Sequence, residues 1–337
     1  MNIWHKILAT AVHCPSPHNV QPWRVKILNE TDAELSIDST RTLPQEDTTG
    51  SFIILTMGMF LESISILSFQ NGFKLSYNLF HEPEWYAPKI LETSEPRFLP
   101  FAKLTLTPTD HFTEIVYPPE LFYKRRTSRV SLLAEMIPED KLQKLKTQAS
   151  EWQQIFQTTS DQAQIERILR INTAAMFADM NSRGYHDEIV EWFRFSDKES
   201  EEQLDGLDYR CMNTTRLTFW TAARLPWLMK TPFVSQILAK NYRSQLGNVP
   251  AIGILSGAFW QPTDAIRTGR FLMRFWLELA RDNLYMHPFG NLVTNLEAAT
   301  AIKAEIGIPN IWLIFKIGYS VEPPKSHRLP LDKILFD

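Results

Sequence analysis

The chain has 337 residues, of which 44% are hydrophobic and 22% charged, so its composition is that of a globular protein and excludes a largely disordered one. Lys and Arg number 35 against 38 Asp and Glu, and this near balance excludes an overall attraction for nucleic acid or anionic lipid, so any anion site must be local. Two cysteines, Cys14 and Cys211, lack metal-ligand spacing and favour a reducing, cytoplasmic setting.

The first third of the chain alternates helix and strand signals. A short helix is predicted over 4–12, and it ends at "CPSPHNVQPW" (14–23), where three prolines exclude regular structure yet several hydrogen-bonding side chains are concentrated. Period-two alternation of apolar and polar residues then predicts strands over 23–28, 33–38, 73–80 and 101–107.

One apolar stretch, "SFIILTMGMFLESISILSF" (51–69), has the length of a membrane span. It contains Glu62, which would cost about 2 to 3 kcal/mol in lipid, and several Ser and Thr residues. A helix that is apolar nearly all round is also typical of the middle of a large soluble core. We therefore predict a core helix and no membrane partner.

The character of the chain changes at Tyr123. The patterns that follow predict helices over "EDKLQKLKTQA" (139–149), 162–182 and 264–283, strands over 251–257 and 310–320, and an irregular, aromatic-rich segment over 186–235. In the helix over 264–283, one polar stripe faces away from an apolar face, and its members are Arg267, Arg270, Arg274, Glu278 and Arg281.

These elements predict an α+β fold in two halves, 1–115 and 116–337, each a mixed β-sheet with flanking helices. No exact repeat is visible, so a duplication is an inference. None of the 12 glycines forms a G-x-G-x-x-G or Walker-type loop, which argues against a Rossmann or P-loop nucleotide site.

Cationic residues concentrate in two short motifs. "KRRTSR" (124–129) places Arg forks beside hydroxyls just before a helix, which suits a phosphate monoester. A solvated basic edge or a kinase target site are the other interpretations of the same spacing. "KSHR" (325–328) is a second basic motif, braced by prolines. We find neither a metal-ligand cluster nor the order of a catalytic Ser-His-Asp triad.

The proline-rich stretch "CPSPHNVQPW" resembles the P-S-x-x-N-x-Q-P-W signature of the nitroreductase family, which consists of FMN-dependent flavoenzymes. "RRTSR" is similar to that family's R-R-S-x-R phosphate-binding motif, and "HRLPL" (327–331) to its C-terminal R-x-P-L stretch. In ordinary members the basic motif comes first. Here the order is reversed: the proline motif lies in the first half, which lacks the basic motif, and "RRTSR" opens the second half, which lacks the proline motif. This arrangement resembles the tandem nitroreductases of the Acg type.

The resemblance implies an intramolecular pseudo-dimer in which the two halves share one FMN. By motif position, the flavin phosphate and ribityl chain would contact Arg125, Arg126, Thr127, Arg129 and Arg328. The isoalloxazine ring would contact Pro15, Ser16 and Asn19, with Gln21 and Trp23 anchoring their loop. Weaker correspondences place Asn241, and a backbone N–H of Phe289 or Gly290, near the flavin.

The family further implies an enzyme, an oxidoreductase that takes electrons from NADH or NADPH and reduces a small aromatic or quinone-like acceptor. Residues around 186–235 resemble the lid-bearing insertion of the tandem group. Because the flavin supplies the reactivity, no side-chain acid or base is required. The alternatives are a protein that sequesters FMN with little turnover and a relic that binds none. Fusion of two halves predicts a monomer.

Overall fold

Two four-stranded sheets organise the chain, which the computed structural model describes over residues 2–91, 97–110, 117–225, 227 and 231–337. In chain order the strands are β1 (Trp23–Ile27), β2 (Asp32–Asp38), β3 (Phe73–Leu79), β4 (Phe98–Pro108), β5 (Gln154–Thr159), β6 (Phe193–Arg194), β7 (Leu207–Asp208), β8 (Ala251–Gly257), β9 (Tyr285–Pro288) and β10 (Ile311–Gly318). Strands β6 and β7 form a separate short parallel pair.

The helices account for most of the remaining described residues. They are α1 (Ile3–Ala11), α2 (Ser51–Phe69), α3 (Pro83–Leu91), α4 (Pro119–Lys124), α5 (Glu139–Glu151), α6 (Gln162–Asn181), α7 (Arg183–Glu191), α8 (Asp197–Gln203), α9 (Arg216–Arg224), α10 (Pro232–Gln245), α11 (Pro262–Arg281), α12 (Asn291–Thr294), α13 (Leu296–Ile306) and α14 (Leu331–Ile334). The predicted α+β class is confirmed.

Both four-stranded sheets follow the same strand order. The first is β1-β2-β4-β3 and the second is β5-β8-β10-β9, so each reads 1-2-4-3 when its strands are numbered by appearance. In each, a helix of 19 or 20 residues, α2 or α11, comes between the second and third strands. All neighbours in both sheets are antiparallel, so the prediction of mixed sheets is wrong. The short turn between β1 and β2 illustrates the reason, because a parallel pair needs a long crossover.

The chain divides into two compact units. Unit 1 consists of Met1–Arg125, Phe259–Glu278 and His327–Asp337, and unit 2 of Arg126–Ala258 and Leu279–Ser326. The predicted halves 1–115 and 116–337 are a different division, because unit 1 also contains two segments from beyond residue 116. The predicted boundary itself lies outside the described residues, and the two halves stay a prediction.

The core of unit 1 is built on two long helices that approach closely at glycines. A Cβ on Gly58 of α2 would lie 2.2 Å from the carbonyl oxygen of Ile266, and one on Gly269 of α11 would lie 2.0 Å from that of Leu55. Only glycine permits this backbone contact. Helix α2 has the length and hydropathy of a membrane span, and 83% of it is buried inside the protein, as expected for a core helix.

The polar stripe predicted on α11 faces a buried carboxylate rather than open solvent. Arg270 Nε donates to Glu62 at 2.7 Å, Arg274 Nε donates to the other oxygen of Glu62, and Glu62 is fully buried. The two guanidinium groups neutralise the charge that made Glu62 conspicuous within an apolar helix. Two members of the stripe, Arg270 and Arg274, therefore connect α11 to α2 within unit 1.

The segment predicted to be irregular, 186–235, is mostly helical. It contains most of α7, all of α8 and α9 and the start of α10, and residues 226 and 228–230 lie outside the described part of the chain. A small cluster of Phe193, Leu207, Phe219 and Ala223 forms its own core. These helices are short and bury few residues each, so the sequence has no long apolar stripe that would predict them. Strands β5 and β9 and helices α3 and α13 were also missed.

Candidate functional site

The proline-rich loop after α1 is strained. His18, Asn19 and Gln21 all have positive φ angles, of 44°, 57° and 52°. This conformation costs roughly 1 to 2 kcal/mol for most residues and less for Asn. Bonds within the loop hold it, because Gln21 N donates to Ser16 Oγ at 3.0 Å and Asn19 N donates to Ser16 O at 3.1 Å. Backbone strain of this kind clusters at functional sites.

A C-terminal segment of unit 1 lies against this loop. Asn19 Nδ2 donates to His327 O at 3.1 Å, and Asn19 Oδ1 accepts from Arg328 at 3.0 Å. Leu329 N donates to Gln21 Oε1 at 2.8 Å. The structure thus brings together two of the predicted motifs, "CPSPHNVQPW" and "HRLPL". Both ends of the Asn19 amide are used in this way, so Asn19 positions Arg328.

The anchoring role predicted for Gln21 and Trp23 agrees with their burial. Both side chains are fully buried, and the Trp23 indole stacks on Phe60 with 4.6 Å between ring centroids. Pro15 is buried and Ser16 partly exposed. The loop is therefore fixed on its core side by an aromatic stack and on its other side by the C-terminal segment.

Arg125 is the most unusual cation of unit 1. It is only 5% exposed, its Nη2 donates to His13 O at 3.2 Å, and its guanidinium lies 4.6 Å from the centroid of the Trp276 ring. Its Nε is buried and has no hydrogen-bond partner among the described residues. Burial, followed by the nearby positive charge of Arg328, lowers the pKa of Arg125 to about 9.

Among the residues that the structure describes, no carboxylate compensates the positive charge of Arg125. The thiol of Cys14 is the one group described there that raises the pKa of Arg125, and burial in turn raises the pKa of Cys14 to about 12, so the thiol is neutral near pH 7. Two guanidinium groups in a low-dielectric site without a carboxylate repel each other. Such an arrangement is stabilised by an anion that both can contact.

Four residues of the "RRTSR" motif belong to unit 2, where Thr127 and Ser128 lie beside β9. Arg126 forms an ion pair with Glu322 at 2.7 Å and donates to Pro323 O at 2.6 Å. Thr127 forms an isolated bridge with Met286, and Ser128 N donates to Met286 O at 3.0 Å. Arg129 donates to Cys211 O at 3.2 Å, and burial lowers its pKa. The motif is thus ordered by backbone pairing.

The other residues predicted to contact the flavin are Asn241, Phe289 and Gly290, and they lie in different environments. Asn241 is exposed on α10. Phe289 N already donates to Ile314 O at 2.8 Å, so its N–H is engaged within unit 2. Of the two backbone groups predicted to face the flavin, that leaves the N–H of Gly290, the residue that precedes α12. A contact of Phe289 or Gly290 with a flavin stays a prediction.

Sequence reasoning missed a buried lysine beside Arg129. Lys316 is fully buried, and its Nζ donates to the carbonyl oxygens of Arg129 at 3.4 Å, Val130 at 2.7 Å and Leu246 at 3.0 Å. Burial, then the charge of Arg129, lowers its pKa to about 8. One signal was available: a lone lysine in the apolar run "NIWLIFKIGYS".

His287, on β9, is a second missed residue of unit 2. Its pKa lies well below the ordinary value, because it is buried and because Arg129 and Lys316 are nearby. Its ring is therefore neutral near pH 7. Within the described ranges no group of three His, Cys, Asp or Glu side chains could hold a metal ion.

Comparison with known proteins gives structural neighbours but no sequence relatives. No protein-family model and no curated protein matches the chain. The FMN-dependent nitroreductase NfnB from Mycobacterium smegmatis, solved with NADPH, is 14% identical, covers 64% of this chain and 94% of its own, and has a TM-score of 0.38. A nitroreductase with bound FMN from Desulfitobacterium hafniense is 12% identical, covers 65% and 96%, and has a TM-score of 0.39.

A third neighbour is a nitroreductase-like family protein from Bacillus cereus, 15% identical over 67% of this chain and 96% of its own, with a TM-score of 0.36. The chain is similar to nitroreductases.

Proposed function

We propose that this protein binds FMN and uses electrons from NADH or NADPH to reduce a small acceptor of aromatic or quinone-like type. The observation that supports the proposal best is the environment of Arg125, a buried guanidinium beside Arg328 whose pKa no described carboxylate raises. Both residues belong to motifs that resemble phosphate-binding motifs of the nitroreductase family.

The donor set of unit 1 fits a phosphate monoester. Such a group carries close to two negative charges near neutral pH and has three acceptor oxygens. Guanidinium groups bind it through charge-assisted, often bidentate hydrogen bonds. Arg125 has a buried Nε without a described partner, and Arg328 is held in place by Asn19. In this proposal Arg125 and Arg328 hold the phosphate of FMN.

The chain's own residues bind and orient. Bound FMN would supply hydride-transfer and electron-transfer chemistry. The strained loop of Pro15, Ser16 and Asn19 is rigid, and Asn19 fixes the direction of Arg328. Contacts of Pro15 and Ser16 with the flavin ring stay predictions, as do those of Arg126, Thr127, Arg129, Asn241 and Gly290. No side chain is assigned the role of catalytic acid or base.

A measurement of FMN affinity tests this assignment. Arg125→Met and Arg328→Met each remove a charge-assisted contact of about 1.5 to 3 kcal/mol, so we expect FMN to bind about ten- to a hundredfold more weakly. Quenching of flavin fluorescence on titration gives the dissociation constants. Arg167→Met is the matched control, because Arg167 is an exposed arginine that pairs with Glu305. Equal affinities in all three variants would contradict the role of unit 1.

Turnover separates the enzyme from an FMN-sequestering protein. The visible spectrum of the purified protein shows whether flavin is bound, and NADH or NADPH oxidation with a quinone or nitroaromatic acceptor shows whether it is used. Bound FMN that neither dinucleotide reduces would support sequestration. A colourless protein that takes up no added FMN would refute the proposal.

We also propose that the chain is a fusion of two nitroreductase-like halves that works as a monomer. The shared strand order 1-2-4-3 and the matching positions of α2 and α11 support a duplication. Size-exclusion chromatography with light scattering should give the 39.1 kDa mass of one chain. Flavin release and quantification should give one FMN per chain, and two per chain would contradict a single shared site.

A further inference from the structure

Helices α9 and α10 of unit 2, together with Trp227 between them, expose large apolar side chains. Leu217 is 74% exposed, Trp220 45%, Trp227 60%, Phe233 74% and Ile237 46%. We call these five residues the aromatic face. They fall within 21 residues of one another in the chain, whereas most other large apolar side chains of the described residues are buried.

The spacing of the aromatic face follows the solvent side of two helices. Leu217 and Trp220 are three residues apart on α9, while Phe219 and Ala223 of the same helix are buried in the small cluster around Phe193. Phe233 and Ile237 are four residues apart on α10, so they share one side of it. The side chains of the aromatic face therefore lie on the surface of unit 2 and are not part of its hydrophobic core.

The stretch of chain that carries the aromatic face has basic but no acidic residues. From 209 to 263 the sequence contains no Asp or Glu but six Lys or Arg residues. Lys240 follows Ile237 on the exposed side of α10. A groove of about 630 Å³ between α6 and α10 is lined by three basic residues, Arg170, Lys240 and Arg243, and one acidic residue, Glu166.

Acidic groups on neighbouring elements engage part of this positive charge. Glu166 of α6 pairs with Arg243 at 2.6 Å, and Asp197 of α8 pairs with Arg216 at 3.3 Å. Both carboxylates are about half exposed, and surface ion pairs of this kind contribute little. Near α9, Asp187, Glu191 and Glu199 line the same cavity as Arg224, so the positive charge is concentrated at the groove beside α10, where three basic residues face one acidic residue.

We propose that the aromatic face binds the surface of a bilayer that contains anionic phospholipid. Trp and Phe favour the membrane–water interface, where an apolar ring and a polar edge are both accommodated, and Leu and Ile add buried apolar area. Lys and Arg next to them attract anionic headgroups. A second copy of the chain suits the face less well, because it would bring the same basic surface against itself.

This binding is peripheral and independent of the proposed flavin chemistry. The apolar helix α2, which has the composition of a membrane span, is buried in unit 1 and takes no part in it. If the protein also reduces quinone-like acceptors, attachment to a bilayer brings it to the place where such lipid-soluble molecules concentrate. The binding assay needs no flavin turnover, so the two proposals fail separately.

Vesicle co-sedimentation of the full-length protein tests the proposal. We expect binding to vesicles of phosphatidylcholine with phosphatidylglycerol, little binding to phosphatidylcholine alone, and weaker binding as salt rises. The double variant Trp220→Ser, Phe233→Ser should bind the anionic vesicles at least about tenfold more weakly. Lys240→Ala should weaken binding about fivefold.

Leu296→Ser is the matched control, because Leu296 is 82% exposed in unit 2 but lies outside the aromatic face. Circular dichroism and flavin content show whether each variant is folded, and all substituted positions are exposed. Equal sedimentation of the double variant and the control would overturn the proposal. So would a concentration-dependent dimer that the double variant abolishes while no vesicle binds, since that result assigns the face to a second copy.

Discussion

Replacement of Arg125 by methionine should stabilise the flavin-free protein while weakening its affinity for FMN. Burial and Arg328 lower the pKa of Arg125 to about 9, and at about 1.4 kcal/mol per pKa unit this corresponds to a cost of about 4 to 5 kcal/mol for the buried charge. Methionine removes the charge, retains an apolar contact with Trp276, and loses the bond to His13 O, which is worth about 1 kcal/mol.

The net expectation for Arg125→Met without flavin is a gain of about 3 to 4 kcal/mol in unfolding free energy. For a chain of 337 residues this raises the melting temperature by about 4 to 6 °C. The assay is thermal unfolding of both proteins after flavin removal, with and without inorganic phosphate. Phosphate should raise the melting temperature of the wild type by more than that of the variant, because the variant has lost one of the two guanidinium groups that contact the anion.

The sign of the pH dependence gives a second check on Arg125. Its native pKa is lower than its unfolded one, so the unfolded state binds more protons above about pH 9 and wild-type stability gains from this group as pH rises there. The variant lacks that gain. One result would refute this reasoning: Arg125→Met is less stable than the wild type at every pH and responds to phosphate as the wild type does. Arg125 would then not be a buried, uncompensated charge that binds an anion.

Three further predictions concern the framework. Glu62→Gln leaves Arg270 and Arg274 without their carboxylate and should lower the free energy of urea unfolding by about 2 to 3 kcal/mol. The control Glu322→Gln, at an exposed carboxylate, should lower it by less than about 1 kcal/mol. Similar losses in the two variants would contradict the role of Glu62. Gly58→Ala places a methyl group 2.2 Å from Ile266 O and should lower the melting temperature or abolish soluble expression; a normal melting curve would show that α2 and α11 can separate. Lys316 has a pKa lowered to about 8, so wild-type stability should gain as pH rises from about 8 toward 10, and Lys316→Met should lose that gain; an unchanged slope would contradict burial of the charge.

Local pattern was sufficient for much of the fold. The helix over 51–69 and the strand over 251–257 are predicted at the residues where they occur, because each is a long, strongly apolar run ended by glycine. The short strand β9 and the helices α7 to α9 were missed because each buries few residues, and their stability comes from packing that one sequence does not display.

Part of the candidate site could be predicted from the sequence. The motifs located Asn19, Arg125 and Arg328, which the structure places together in unit 1. Sequence alone predicted that Asn19 faces a ligand, whereas both ends of its amide bind the segment around Arg328. Lys316 and Trp276 act through contacts with residues more than 140 positions away in the sequence, and no local pattern reports such contacts.

The contact between Asn19 and Arg328 joins residues 309 positions apart, and the ion pair between Glu62 and Arg270 spans 208. At about 5 to 20 residues per second, a ribosome that has made Asn19 needs about 15 to 60 s more to reach Arg328. The partner helix of α2, α11, is also made late, because Arg270 follows Glu62 by 208 residues, and until Arg328 is made the cationic site lacks one of its two arginines. Nascent chains of this protein therefore have an incomplete unit 1 through most of their synthesis.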